Sequence, residues 1–311
     1  MIAIAVEGVS ADELLEELAA ALQVEPEGNV LRWRAADWAQ QETEGEAELA
    51  VRGEGNRVVV EVRGLEAVLG EQLAAWIAAF VASATPERLG DWLTDRYARK
   101  PWGPRARETY RDPSYHRPSF GAVLAALELG PDDVLLEIGC GGGAFLEQAL
   151  ASGCRAAGID HSPEMVRVAR ELNADAIATG RLEVVQGDAA HLPFADEHFT
   201  CAAMMQVFFF LPDAAAVVGE CARVLRPEGR LAVFTLAEEA RGTPASPEPM
   251  ASRSHFYDDE ELAALALRAG FGNATVTRPD LEPFARAAGL PEDVIPLFSG
   301  AGFGQLLLAT V

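Results

Sequence analysis

The sequence predicts an α/β protein, a doubly wound sheet covered by helices on both faces and preceded by a small α+β unit. Three observations lead there. From residue 119 onward, apolar β-rich runs alternate with amphipathic helical stretches at least five times, which a parallel sheet buried on both sides requires. A glycine-rich turn follows the first of those runs. The opening 85 residues carry instead a hairpin signal flanked by helical spacing. At 311 residues the chain exceeds a common domain size of about 100 to 150, so a division is expected. The boundaries read as a small α+β accessory domain over 1–85, a connector with short helices over 86–118, and the main domain over 119–311.

In the first unit, Ile2 to Val6 reads as a strand, a helix begins near Ala11, and Val30 to Trp38 reads as a second strand. Glu46 to Val51 and Arg57 to Val62 pair across Gly53-Glu-Gly55-Asn56, a cluster suited to reversing the chain. Leu65, Leu69, Leu73, Ile77 and Phe80 then fall on one side of a helix. No residue motif assigns this unit a ligand, and it reads as an accessory or homodimerisation domain. The connector mixes Pro, Arg and aromatics, among them Trp92, Tyr97, Trp102, Tyr110, Tyr115 and His116.

The main domain opens with the strand Val134 to Ile138, whose expected partners are Ala156 to Ile159, Leu182 to Val185, Ala202 to Val207 and Leu231 to Leu236. Ser162-Pro163 supplies an N-cap and a first-turn proline to a helix with Met165, Val168, Ala169 and Leu172 as its apolar stripe. A second helix runs from Asp213 to the turn Arg226-Pro227-Glu228-Gly229, and a third from Asp258 to Gly270. Gly304 to Val311 reads as a last strand.

A net charge of −23 disfavours nucleic acid and anionic membranes, whose binding rests on Lys and Arg. No apolar run approaches the roughly 18 residues of a membrane span, and Met1 to Glu7 lacks the features of a secretory leader, so the expected location is cytoplasmic. Cys140, Cys154, Cys201 and Cys221 lack metal-site spacing and are expected to be reduced thiols with no metal.

The chemistry concentrates at three strand ends. Leu136-Glu137-Ile138-Gly139-Cys140-Gly141-Gly142-Gly143-Ala144 turns from strand to helix, bringing backbone N–H groups toward a ligand. Taken alone it also satisfies G-x-G-x-x-G/A, the dinucleotide pattern. Asp160 ends the next strand about 20 residues on, where a carboxylate can accept from both ribose hydroxyls. Gly187-Asp188-Ala189 ends the third, where a carboxylate can accept from an adenine amino group while a neighbouring N–H donates to the ring.

Over about 180 residues, from near Gly130 to the C-terminus, this pattern resembles the class I S-adenosylmethionine (SAM)-dependent methyltransferases, in particular the small-molecule and quinone-type branch, with their Rossmann-like sheet. The motifs that carry the resemblance are Glu137 with Gly139 to Gly143, Asp160 with Ser162-Pro163-Glu164-Met165, Gly187-Asp188-Ala189 with Leu192-Pro193-Phe194, and Arg223 to Leu231. The resemblance implies SAM as cofactor and a small-molecule methyl acceptor. It implies that Glu137 and the backbone of Gly139, Cys140, Gly141 and Gly143 hold the methionine portion. Asp160 would take the ribose, His161 would lie by the adenine face, Asp188 and Ala189 would read the adenine edge, and Gln206 would frame the methionine amino group.

Two positions depart from the family. Glu228 replaces the first glycine of a Pro-Gly-Gly turn, far from the chemistry. Phe208-Phe209-Phe210 stands after the fourth strand where relatives place polar residues or histidines, so no base is evident and the catalytic residue is unassigned. Phe208 and Phe209 would line the acceptor region or pack in the core, and Tyr110, Tyr115 and His116 are further candidates for acceptor contact. Glu238 to Ser254 reads as a substrate loop. Two other functions use the same loops: an NAD-dependent oxidoreductase, and a non-catalytic SAM-binding regulator. The first cannot use a Tyr-x-x-x-Lys pair, because Lys100 is the only lysine.

Overall fold

A computed structural model describes residues 2–6, 10–22, 24–34, 46–55, 57–65, 70–71, 73–75, 77–79, 91, 94–101, 104–243, 245–247, 250–299, 302 and 304–311. The chain divides into two units, Met1–Ala98 with Gly242–Arg253, and Arg99–Arg241 with Ser254–Val311.

In the first unit β1 (Ile2–Val6), β2 (Val30–Arg34), β3 (Glu46–Glu54) and β4 (Arg57–Arg63) form an antiparallel sheet in the order β1-β4-β3-β2. Alternation sets its two faces. Leu49, Val51, Val58, Val60 and Val62 are buried with Leu14 and Leu18 of α1 (Ala11–Leu22). On the other face Glu61 accepts from Arg52 and Arg63 at 2.7 and 2.8 Å. The hairpin reverses at Gly55, whose φ is +64°. Leu73 and Ile77 are buried in this core, with helical backbone at the described positions between 70 and 79; Leu69, Phe80 and residues 35–38 of the expected second strand lie outside the described residues.

The second unit holds seven strands in the order β10-β11-β9-β8-β5-β6-β7. These are β5 (Val134–Ile138), β6 (Arg155–Asp160), β7 (Leu182–Gln186), β8 (Phe199–Met205), β9 (Leu225–Leu236), β10 (Asn273–Thr277) and β11 (Gly304–Thr310). Every residue of β5 is buried, as a central strand covered on both faces must be. Leu135, Ala203 and Phe234 face α3 (Arg117–Leu127), α4 (Ala144–Ala149) and α5 (Pro163–Leu172) through Val123, Phe145 and Ala169. Leu136, Met204 and Val233 face the other way, toward Val217 and Cys221 of α7 (Ala214–Val224) and Leu262 and Ala266 of α8 (Asp259–Arg268). The short α6 (Ala174–Ala178) follows α5, and α2 (Pro104–Arg111) precedes α3.

The sheet departs from the all-parallel expectation at one edge. β5 to β9 are mutually parallel, but β11 runs antiparallel to β9 and β10 antiparallel to β11. β10 and β11 are joined by residues 278–303, which include the helical turns Glu282–Ala287 and Ile295–Phe298, and antiparallel pairing brings both strands to one edge of the sheet. β9 also begins earlier than expected, because Leu225 already pairs with Phe199 before a register shift carries the strand to Arg230. The fourth strand lies at Phe199–Met205, two residues short of Val207.

Candidate functional site

Because β5, β6 and β7 are parallel neighbours, their C-terminal ends lie along one edge, where the crevice of such a sheet receives a ligand. The glycine loop is tied to the second strand: Gly139 and Cys140 N–H both donate to the Ile159 carbonyl, at 2.8 and 3.0 Å. Gly143 precedes α4 with φ +81°, and an added Cβ there would meet Asn173 Nδ2 at 2.7 Å and Ala169 Cβ at 2.9 Å. Asn173, buried, donates to the Gly143 and Ala169 carbonyls at 3.1 and 3.0 Å and so fixes the loop to α5. Gly142 admits a second neighbour, since a Cβ on it would fall 2.1 Å from the Tyr110 carbonyl oxygen. Cys140 is buried, and burial pushes its thiol well up, so it is a packing residue of the loop.

Asp160 joins two strand ends. Its Oδ2 accepts from Gly141 N–H at 2.9 Å and its Oδ1 from Ser162 N–H at 2.8 Å. Ser162 in turn caps α5, accepting from Met165 N–H at 3.3 Å, and donates its hydroxyl proton to the Pro101 carbonyl. Burial raises the Asp160 carboxyl despite those two N–H donors. Glu137, 2% exposed, is raised well above the ordinary carboxylate value, chiefly by burial and further by Asp160. Its Oε2 is buried with no hydrogen-bond partner. An orphaned carboxylate oxygen beside another carboxyl is costly and complements a cation or a strong donor.

The third strand end is open to solvent. Asp188 Oδ1 accepts from Ala190 N–H at 3.0 Å, and its Oδ2 lies 3.0 Å from His191 Nδ1, which with the amide holds the carboxyl below its ordinary value. Ala189 is partly buried beside it, and His161 is exposed, its carbonyl accepting from Gln186 Nε2. Beyond β8, Gln206 is a non-glycine residue at φ +56°, a strained conformation of the kind that gathers at functional sites. Its N–H donates to the Phe234 carbonyl at 2.8 Å, its Nε2 to Ser119 Oγ at 3.3 Å, and Ser119 donates to the His116 carbonyl at 2.7 Å.

Tyr110 packs against Met165 and Val168, and burial followed by the Asp160 charge pushes its phenol up, so it belongs with Asp160 and the glycine loop. His116 is pushed down to about 4 by burial and sits edge-on to Phe120. Tyr115 stands apart, 51% exposed. The phenylalanine run divides between two clusters. Phe208 is fully buried against Tyr257 in the inner core. Phe209 belongs to a separate cluster with Leu236, Ala240 and Phe256, stacked on the Phe256 ring at 6.4 Å, with Arg241 4.5 Å above that ring. No sequence signal marked Asn173, Ser119 or the segment from His255 to Tyr257, which falls between the expected substrate loop ending at Ser254 and the helix expected from Asp258, whose capping box the structure shows. Of the expected substrate loop, Gly242–Arg253 belongs to the first unit.

Among known families, the model described as a methyltransferase domain matches residues 136–233. The chain is 32% identical over 181 residues to a protein of Xanthomonas euvesicatoria pv. vesicatoria named ubiquinone biosynthesis O-methyltransferase, covering 54% of this chain and 74% of that one. A protein of the same name from Xylella fastidiosa is 29% identical over 171 residues, covering 51% and 68%. Among solved structures, a SAM-dependent methyltransferase from Aquifex aeolicus shares the fold, with a TM-score of 0.52 at 20% identity over 68% of this chain and 99% of that one.

Proposed function

The chain belongs to the class I SAM-dependent methyltransferases, and from that membership we propose that this enzyme transfers the methyl group to a hydroxyl oxygen of a small aromatic acceptor. Bound SAM supplies an electrophilic methyl on a sulfonium. The acceptor attacks it in line, so positioning by the protein carries much of the acceleration.

The observation that carries the reading is the pair of buried carboxyls at adjacent strand ends. Glu137 Oε2, buried and unpartnered, fits the ammonium of the methionine portion, together with the Gly139, Cys140, Gly141 and Gly143 backbone. Asp160, with one lone pair left on each oxygen, fits the ribose diol. His161, Asp188 and Ala189 then take the adenine, and Gln206 frames the methionine amino group. Tyr110 closes over the glycine loop, with His116 beside it.

The oxygen acceptor is drawn from the names of the two relatives and from the apolar Phe209–Phe256 cluster beyond β8. The charge of −23 favours a small neutral acceptor over nucleic acid. Calorimetry with SAM, S-adenosylhomocysteine, NAD and NADP, followed by transfer of labelled methyl to a panel of catechols, phenols, amines and thiols, tests both halves. Tight binding of the nicotinamide cofactors alone overturns the SAM site; label on nitrogen or sulfur alone overturns the oxygen acceptor.

A further inference from the structure

The turn after β8 offers three phenylalanines, and its one carboxylate, Asp213, is engaged in capping α7 by accepting from Ala216 N–H at 2.9 Å, yet a hydroxyl oxygen methylated near neutral pH must lose its proton. The structure brings a histidine to that turn from elsewhere in the chain. His255 N–H donates to the Phe209 carbonyl at 2.8 Å, placing the residue against the aromatic turn. Its imidazole lies 4.3 Å from the Tyr257 ring, tilted by 51°, and the residue is exposed. Tyr257 in turn rests on Phe208, and its carbonyl accepts from the buried Gln305 Nε2 at 3.1 Å, so the segment is anchored on both sides.

The remaining four histidines fail on position or basicity. His161 and His191 belong to the ends of β6 and β7, beyond β5 from the turn. His198 precedes β8 at the opposite end of the sheet. His116 is held neutral by burial, at about 4, which makes it a weak proton acceptor.

Charge around His255 is arranged by the turn after β9. Arg241 donates to Glu238 at 2.8 Å and is the main reason that carboxyl lies below its ordinary value; Glu239 opposes this and His255 adds to it. Asp213 and Glu261 bear on Tyr257. Glu238 is therefore an anion within electrostatic reach of the imidazole, suited to stabilise it once protonated.

We propose that His255 is the general base of methyl transfer, taking the acceptor's hydroxyl proton, with Glu238 as the nearby anion that favours its charged form. This rests on the oxygen-acceptor reading above. In the step, the acceptor O–H proton passes to the neutral imidazole nitrogen as the oxygen lone pair forms the O–CH3 bond. The S–CH3 bond breaks, its electron pair stays on sulfur as the neutral thioether, and the imidazolium later releases its proton to water.

The test compares native enzyme with His255→Gln on catechol, protonated at pH 7, and on 4-nitrocatechol, which ionises far more readily. The expected result is a loss of about 10²- to 10⁴-fold in kcat/KM for catechol but under about tenfold for 4-nitrocatechol. The acid limb of the native pH profile should vanish in the variant, and Glu238→Gln should shift it. Two readings do not depend on turnover. S-adenosylhomocysteine affinity should stay within about twofold in His255→Gln, and the His255 imidazole 15N resonance of the S-adenosylhomocysteine complex should move when catechol is added. Equal losses on the two acceptors, no loss, or a motionless resonance overturns His255 as base while leaving oxygen methylation standing. If native enzyme methylates neither catechol but does methylate amines or thiols, the oxygen reading falls and takes the base with it.

Discussion

Glu137 resists ionisation because it is buried and because Asp160 stands beside it at the end of the neighbouring strand. In the unfolded chain the same carboxyl titrates near its ordinary value of about 4.3. A raised folded value means that the folded state holds the proton longer. Its contribution to stability is thus full below that ordinary value and is lost as pH rises toward the folded value. A ligand ammonium reverses the preference by favouring the anion. SAM binding should therefore release a proton, and affinity should rise with pH over the window between the bound and free values. Calorimetry in buffers of different ionisation enthalpy reads this directly; an enthalpy independent of buffer, equal in Glu137→Gln, would remove Glu137 from the ammonium site.

Asp160→Asn tests the ribose position at almost constant volume. The amide leaves one oxygen where the carboxylate gave two, and its NH2 then faces either the Gly141 or the Ser162 N–H. Loss of a charge-assisted acceptor from ribose together with that local conflict should weaken SAM by more than about tenfold, roughly 1.4 kcal/mol or more. Unchanged affinity in both Asp160→Asn and Asp160→Ala would refute the assignment.

Gly142→Ala places a methyl 2.1 Å from the Tyr110 carbonyl, a contact with backbone that cannot be relieved by a rotamer change. Either α2 or the glycine loop must shift. Amide exchange across residues 104–111 should accelerate and SAM affinity should drop, while Tyr110→Phe, which keeps the packing on Met165 and Val168, should leave exchange slow. Slow exchange in Gly142→Ala would mean that Tyr110 does not rest on the loop.

The legibility of the sequence followed burial. β5 and β8 are central, so their mostly apolar runs marked them, and Ser162 and Asp258 marked helix starts whose caps the structure reproduces. β10 escaped because Asn273–Thr277 is an edge strand with alternating, half-exposed polar residues. The glycine loop and the two acids after it were readable because each spacing follows one strand end. Asn173, Ser119 and His255 were not, because each acts through a partner dozens of residues away, at Gly143, Gln206 and Phe209. Phe208 and Phe209 are identical in sequence terms and both are buried, and only tertiary packing assigns them to different clusters.

Two non-glycine residues with positive φ separate strain used from strain merely carried. Glu228 (φ +64°) lies in the turn within β9, its N–H donating to the Val311 carbonyl, at the sheet end opposite the cofactor loops. Gln206 (φ +56°) lies at the end of β8 with its side chain engaged by Ser119. Replacing either by glycine removes the steric penalty of the left-handed conformation and adds some unfolded-chain entropy, a net of about 0.5 to 1 kcal/mol in favour of the fold. Glu228→Gly should raise the Tm with SAM affinity and turnover unchanged. Gln206→Gly should gain less, since it also loses the bond to Ser119, and should weaken SAM binding. Thermal unfolding paired with calorimetry distinguishes them: equal SAM affinity in both variants would show that the Gln206 conformation serves the turn and not the ligand.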